Sequence, residues 1–400
     1  MQNCDKKFGD YFRVHKLILR ICGVSLQTND SRLYRTYSTF ILCLFLSIMM
    51  EEVYTLTRFT NDINKVMALL SVLLSHIVGV FKIYVVLKNR PLICEILESL
   101  HGGMFAPNRK RGGVKEEILI KKCIADTHKQ IIVYCTPFGI SLLNASIIAL
   151  MTKFTEDDCE FWELPWEAFG LFKICSSLRY YLIYLYQNGT LFVVSYIIIG
   201  TDLVIIAVFA HLTTQFAILA NFISITVKGD EEFSPTHLEI KDKSKRHYRK
   251  CMKEIVVYHQ ALIHLAERFE DLFTFVILAV FIGNILVLCS TMYLATLNSP
   301  RNPKSLLGLT YGITIVVQVF LYCYYGNELA LTSESISSAC YDDGIIGTDI
   351  SFQKDLILIM RRSQRPVVLT AGKFANLLLP AFVSILRASY SYFMVIRTSN

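Results

Sequence analysis

The chain has 400 residues and a net charge of +7; 53% of its residues are hydrophobic and 18% are charged. Its mean hydropathy is +0.44, whereas soluble domains are less apolar and carry about 25% charged residues. This composition excludes an ordinary soluble domain, and no basic domain with interleaved aromatic residues is present to bind nucleic acid. Several apolar runs reach the length of about 20 residues that crosses a bilayer, so we predict an all-α membrane protein.

The amino-terminal part predicts one surface helix and three membrane spans. Residues 8–22 place apolar and basic side chains on different faces, which is typical of an amphipathic helix at the membrane surface. Glu51 and Glu52 indicate that the chain leaves the membrane at the end of the first span. The three spans are predicted at about Thr36–Tyr54, Val66–Leu87 and Ile131–Met151.

The fourth apolar run, Tyr180–Ile225, is long enough for two spans or for one unusually long helix. Its only break is Gly200-Thr201-Asp202, which is too short for a polar turn, so we favour one helix of about 65–70 Å. The second half of that helix then projects into the cytoplasm. This position keeps Asp202, His211 and Gln215 out of deep lipid, where polar and charged groups are costly.

Two more spans are predicted at about Leu272–Leu297 and Leu306–Leu331, and a last apolar run covers Val367–Ile396. Basic segments follow the second and fourth spans, whereas the loop after the third span, residues 155–169, holds six acidic residues and no basic one. Because cytoplasmic loops are enriched in Lys and Arg, we predict seven spans with the amino end cytoplasmic and the carboxyl end extracellular.

The last run carries a stripe of small, mildly polar side chains at helical spacing. Such a stripe either packs closely against another helix or faces water in a pore, and periodicity alone leaves both possibilities open. Arg387 flanks the stripe near mid-membrane, where charge is costly, and Pro380 inside the run predicts a kink. The stripe consists of Ser384, Ala388, Ser391, Val395 and Thr398.

Cysteine and metal-ligand patterns are weak in this chain. Cys159 and Cys175 share the acidic loop and are either joined by a disulfide or both free, because connectivity cannot be read from sequence. Four residues at helical spacing before the fifth span could hold a metal ion or could form a solvated helix face. No second cluster matches them, so we predict no metal site and no cofactor. These four are His259, His264, Glu267 and Glu270.

Motifs in the carboxyl-terminal third are specific when taken together. They are Tyr322–Leu329 (YCYYGNEL), Met360–Pro366 (MRRSQRP), Leu369–Gly372 (LTAG) with Phe374, and Ser389–Phe393 (SYSYF). With the seven-span order, and with Gly200-Thr201-Asp202 and Leu164-Pro165-Trp166, they resemble the insect odorant receptor family. The family's coreceptor has a longer insertion between spans four and five, for which Val227–His259 leaves no room. The chain therefore resembles a ligand-tuned subunit rather than the coreceptor.

The resemblance implies an odorant-gated, non-selective cation channel of four subunits in the cell membrane of a sensory neuron. This chain would form a heterotetramer with the odorant receptor coreceptor, surrounded by membrane lipids. Long cytoplasmic extensions of spans four to seven would form an anchor domain. Span seven would line the pore, which assigns the stripe to the pore and Val395 to its hydrophobic gate.

The resemblance also places a ligand pocket in the outer halves of spans two, three, four and six. Aromatic and aliphatic walls with a few hydroxyl groups there suit a small, neutral, hydrophobic volatile odorant. The candidate ligand-binding residues are Met67, Leu70, Ser71, Leu74, Phe138, Ser141, Leu142, Ala145, Tyr180, Tyr184, Asn188, Thr310, Tyr311 and Thr314.

These expectations divide the chain into four parts. Residues 1–34 form a cytoplasmic amphipathic segment, 35–331 hold spans one to six with the pocket, 332–370 form the anchor segment, and 371–400 form the pore span. The sequence contains no HExxH, GxSxG or paired intramembrane aspartates, so an enzyme is not expected. The alternative function is a metabotropic seven-span receptor, or a transporter, with the same pocket but no pore of its own.

Overall fold

A computed structural model describes residues 10–27, 29–156, 158–159, 162–166, 176–228, 238–297, 303–341 and 349–399. These residues are almost entirely helical, with one short two-stranded hairpin. The elements are α1 (Arg13–Ile21), α2 (Arg32–Arg58), α3 (Ile63–Lys88), α4 (Arg90–His101), a 3-10 turn (Gly103–Phe105), α5 (Arg109–Thr155), α6 (Ser177–Lys228), α7 (Leu238–Leu297), α8 (Pro303–Ala339), α9 (Ile350–Ser363), β1 (Thr370–Ala371), β2 (Ala375–Asn376) and α10 (Leu379–Ser399).

Seven helices of the described residues are long and apolar enough to cross a membrane, as the sequence predicts. They are α2, α3, α5, α6, α7, α8 and α10. The ends of the bundle are named here by their loops. The acidic-loop end carries the described residues 156, 158–159 and 162–166, together with the carboxyl ends of α2, α5, α7 and α10. The opposite end carries α1, α4, α9 and the hairpin.

Helix α6 lies at the centre of the bundle and packs against α5, α7 and α8. It is one continuous helix of 52 residues, which confirms the single-helix interpretation of the fourth apolar run. At 1.5 Å per residue its length is about 78 Å. Every residue from Leu203 to Leu212 is buried, because this segment is apolar on all sides and other helices surround it.

Helix α1 is amphipathic as predicted, but it does not simply lie on a surface. His15 and Leu19 are buried, and Leu19 contacts the backbone of α6 at Gly200. A methyl group at Gly200 would come within 2.9 Å of Leu19, so the glycine is what allows the close approach. Leu17 and Ile21 of the same helix are exposed on the surface of the protein.

The last apolar run divides into two structures. Its first part forms the antiparallel hairpin of β1 and β2, whose turn holds Gly372 and Lys373 at φ values of 64° and 62°. The membrane helix α10 begins only at Leu379. Pro380 therefore lies in the first turn, where a missing N–H leaves no intrahelical hydrogen bond unmade. The predicted kink inside the span is wrong for this reason.

Candidate functional site

One group of candidate ligand residues lies between α3 and α8 near the acidic-loop end. The hydroxyl groups of Tyr311 and Ser75 are 2.8 Å apart and join the two helices. Leu74 and Tyr311 pack with Leu386 of α10 around the buried side chains of α7 and α8. Met67 packs near Phe393 of α10 in a second small cluster. These residues thus share apolar contacts with the helix that carries the candidate pore stripe.

The remaining candidates on α3 and α8 are partly or fully buried. Ser71 donates its hydroxyl to the carbonyl of Ala68 at 2.8 Å, and Thr314 donates to the carbonyl of Thr310 at 2.9 Å. The hydroxyl of Thr310 also bonds to its own helix backbone. Leu70 is half-buried. Because these hydroxyls are bonded within their own helices, the surface that the candidate residues present is more apolar than their composition suggests.

A second group lies between α5 and α6. The hydroxyl of Tyr180 is 2.6 Å from the carbonyl of Ala149 and 3.1 Å from that of Glu163, so this buried ring fastens the acidic loop to α5. Tyr184 stacks on Tyr180 and donates to the carbonyl of Ser146 at 3.3 Å. Asn188 accepts a hydrogen bond from the Ser146 hydroxyl. The polar atoms of this group are engaged with the protein.

Further along α5, Phe138 makes an edge contact with the ring of Tyr196 on α6, with 6.4 Å between ring centroids. Ser141 is buried, and Leu142 packs against the main core. Ala145 is half-buried. The two groups therefore consist of packed side chains from α3, α5, α6 and α8, the four helices in which the resemblance implies a pocket.

An acid–imidazole pair lies beside the first group and was not expected there. Nδ1 of His76 is 2.8 Å from a carboxylate oxygen of Glu52, and both side chains are almost inaccessible to solvent. The ring of Phe45 packs edge-on against the imidazole. In the sequence, Glu51 and Glu52 served only to mark where the first span leaves the membrane, which stays a prediction; the structure adds that Glu52 is 0% exposed and packed against α3.

The most heavily bonded polar group is the carboxylate of Asp202, in the middle of α6. Lys82 of α3 donates to it at 2.6 Å and Tyr134 of α5 at 2.9 Å. From α8, Gln318 donates at 2.6 Å and Tyr322 at 2.7 Å. Four donors on three helices thus converge on one carboxylate, and we name these five residues the Asp202 cluster.

The sequence predicted that Asp202 avoids lipid by lying in a cytoplasmic extension of the helix, whereas the structure surrounds it with the side chains of the Asp202 cluster. Asp202 is 0% exposed and avoids lipid by pairing inside the protein. Lys82, 1% exposed, is its counter-ion. A buried ion costs several kcal/mol of desolvation, so both charges depend on this geometry and on the two phenols and the amide. Gln318 also accepts from Asn284 of α7 at 3.0 Å, which ties a fifth helix to the cluster.

Helix α10 presents two different faces. Ile385, Ser389 and Phe393, each four residues apart, are buried against the rest of the chain. Ser384, Ser391, Val395 and Thr398 of the predicted stripe are exposed, and Ala388 is half-buried. Val395 is 61% exposed. The stripe therefore faces away from its own protomer, together with Arg387.

Other candidate sites have a different character. A cleft of about 330 Å³ at the opposite end is lined mainly by polar and charged groups, among them Asp10, Lys16 and Glu98, and is remote from the ligand candidates. In the described part of the chain no three His, Cys, Asp or Glu residues are placed to hold a metal ion. His259 is buried against Phe216, and Glu270 accepts from Thr370 at 2.6 Å, so the predicted solvated face is partly packed.

The cysteines can be assigned only in part. Cys159 is disulfide-bonded. Its predicted partner, Cys175, lies outside the described residues, so the pairing itself stays a prediction. The free cysteines include Cys123, whose sulfur is 3.5 Å from Nδ1 of His211.

Comparisons with known proteins agree with this architecture. Residues 62–390 match the model of the 7tm Odorant receptor family. Odorant receptor 67a of Drosophila melanogaster is 27% identical over 347 residues, covering 82% of this chain and 79% of that protein. Odorant receptor 22c of the same species is 34% identical over 153 residues, 38% of this chain and 37% of that protein.

A solved structure shares the whole fold. The insect olfactory receptor OR5 from Machilis hrabei, in complex with eugenol, matches with a TM-score of 0.79. The match covers 98% of this chain and 100% of that chain at 16% sequence identity. At this identity the match supports the arrangement of the helices, and no role of an individual side chain is inferred from it.

Proposed function

This chain belongs to the 7tm odorant receptor family, and from that premise we propose that it is the ligand-binding subunit of an odorant-gated, non-selective cation channel. As an odorant receptor it is a multi-pass membrane protein and not an enzyme. The proposed partner is the odorant receptor coreceptor, with which it would form a heterotetramer. The amino end would be cytoplasmic and the carboxyl end extracellular, so that the acidic-loop end faces outward.

The observation that carries the channel proposal is the shared packing of ligand candidates and α10. Leu74 and Tyr311 contact the same small cluster as Leu386, which lies on α10. A ligand that enlarges or tightens this cluster changes the position of α10, because packed side chains have few alternative arrangements. On the far side of α10, the exposed stripe from Ser384 to Thr398 supports pore lining, with Val395 as the gate.

We further propose a small, mostly apolar, neutral ligand. Most hydroxyls of the candidate residues are bonded to the protein, which leaves aromatic and aliphatic walls. Glu52 and His76 add polarity near Tyr311, but Nδ1 of His76 lies 2.8 Å from the Glu52 carboxylate, so the two groups are engaged with each other rather than open to a ligand.

The test is co-expression of the chain with an insect odorant receptor coreceptor, followed by a panel of esters, alcohols, aldehydes and terpenoids. We expect at least one panel member to evoke an inward cation current without any added G protein. Cells that express the coreceptor alone are the control. A response that requires a G protein, or ligand uptake without current, would favour the metabotropic receptor or the transporter instead.

A further inference from the structure

One face of α8 joins three parts of the molecule. Tyr311, Thr314, Gln318, Tyr322 and Gly326 follow each other at intervals of three or four residues, so they lie along a single side of the helix. At the acidic-loop end this face contacts Ser75. In the middle it donates two hydrogen bonds to Asp202.

The same face meets the root of the pore helix at its other end. A methyl group on Gly326 would lie 2.4 Å from the carbonyl oxygen of Leu377, so the two backbones touch there. Leu377 comes two residues before α10, and its N–H donates to the carbonyl of Leu369 at 2.9 Å. The hairpin is fixed to α7 as well, because Gly372 N–H donates to Thr274 at 2.8 Å. A shift of α8 therefore presses directly on the chain that leads into α10.

The bonds within the Asp202 cluster are not equivalent. Lys82 and Asp202 are a buried charge pair, and separating them would leave two uncompensated ions. Gln318 and Tyr322 are neutral donors to a carboxylate that already has Lys82 and Tyr134. Asp202 can lose the α8 donors and remain paired, so these two bonds are the ones that can exchange when α8 moves.

We propose that Asp202 is a gating latch: its hydrogen bonds to Gln318 and Tyr322 hold α8 in the closed arrangement and are released when an odorant displaces the Tyr311 end of that helix. This inference rests on the proposed channel function. The ion pair with Lys82 anchors the latch to α3, and Gly326 transmits the released motion to Leu377. The strength of these hydrogen bonds to Asp202 thus determines how much of the ligand's binding free energy is needed to open the channel.

The test uses Tyr322→Phe, which removes one bond from α8 and keeps the aromatic ring that packs in the core. Loss of a bond made only in the closed state favours opening. We expect a larger current without odorant and an EC50 lowered by about three- to tenfold, the range for one lost hydrogen bond. Gln318→Met is the second variant and should act in the same direction.

Tyr134→Phe is the matched control, since it removes a phenol from the same carboxylate but from α5. If the cluster served only for stability, the two Tyr→Phe variants would behave alike at equal surface expression. Equal behaviour, or an unchanged or raised EC50 for both Tyr322→Phe and Gln318→Met, would overturn the latch. Failure of the unmodified chain to conduct with any odorant is a separate result, which rejects the proposed function itself.

Discussion

At the scale of single residues, the buried charges carry the clearest energetic consequences. Lys82 lies inside an otherwise apolar span, and its partner Asp202 is 120 positions away in the sequence. No local pattern links the two, so periodicity and hydropathy could not predict the pair. The burial of Glu52 beside His76 could not be predicted for the same reason, because the two residues lie on different helices.

Replacing Lys82 by Met should destabilise the protein by about 3–5 kcal/mol, because the Asp202 carboxylate stays buried without its counter-ion. The measurement is the thermal unfolding of purified protein in detergent. Adding Asp202→Asn to Lys82→Met should recover part of the loss, since the uncompensated charge disappears. Lys88→Met, an exposed lysine at the end of the same helix, should cost little. Equal stability of the Lys82 and Lys88 variants would contradict this account.

His15 makes the docking of α1 sensitive to acid. Burial, with a smaller contribution from His128, lowers the pKa of His15 to about 4, while Asp10 opposes the shift. Within the described residues neither of its ring nitrogens has a hydrogen-bond partner. The folded state therefore holds a neutral imidazole, whereas the unfolded state takes up a proton near the ordinary pKa of 6.5.

Stability from His15 is complete above about pH 6.5 and is lost as the pH falls toward 4. Between pH 7.5 and 5.5 we expect a loss on the order of 1 kcal/mol from this residue. The unfolding temperature of His15→Leu should change less than that of the unmodified protein over this interval. Identical shifts in both proteins would show that other groups cause the acid sensitivity.

At the scale of elements, local sequence signals predicted helices well and their boundaries less well. All seven spans follow from runs of apolar residues, because hydropathy is a local property. The hairpin before α10 was missed because its residues were included in the apolar run Val367–Ile396, although Lys373 and Asn376 in it are polar. The available cue was Gly372, which adopts φ 64° at the turn and which an uninterrupted helix would not require.

The ligand candidates show a similar limit. The resemblance assigned the candidates to the outer halves of spans two, three, four and six, which are α3, α5, α6 and α8, and several of them make contacts between these helices. Spacing could not reveal that Tyr180 is engaged with the acidic loop, because that loop is folded back by tertiary contacts. Nor could it reveal His76 beside Glu52, which come from different helices.

For α10 we expect Val395→Trp to reduce the odorant-evoked current by at least about tenfold, because a bulky indole on each copy of this chain would obstruct a narrow hydrophobic constriction. Surface expression, measured in parallel, should not change. Val383→Trp is the control, since Val383 is also exposed on α10 but lies about 120° around the helix from Val395. A full current in Val395→Trp would show that this position does not line the gate.

At the scale of the whole molecule, α6 organises the bundle. Its sequence is apolar on every side, which is typical of a helix that is surrounded by other helices, and this explains its central position. The shared fold with the Machilis hrabei receptor at 16% identity shows that this arrangement tolerates extensive substitution. What the fold alone does not determine is the direction in which the bundle crosses the membrane.

Epitope tags at the two ends determine that direction. In intact cells, a tag after Asn400 should bind antibody, whereas a tag before Met1 should bind only after the membrane is permeabilised. The physical reason is the concentration of Lys and Arg beside α3, α6 and the amino end, with acidic residues at the other end. Antibody access to the amino-terminal tag in intact cells would contradict the proposed orientation, in which the acidic-loop end faces outward.

The uncovered face of α10 also determines what happens to a protomer that finds no partner. Ser384 and Ser391 donate their hydroxyls to carbonyls four residues back, at 2.9 Å each, so lipid can surround them at little cost. Arg387 is exposed on this helix, and a charge near the bilayer centre costs about 2.5–3.5 kcal/mol. The proposed assembly around a water-filled axis would remove that cost. An Arg387 side chain that faces lipid therefore distinguishes an unassembled protomer from an assembled one. We expect membrane quality control to retain such unassembled chains.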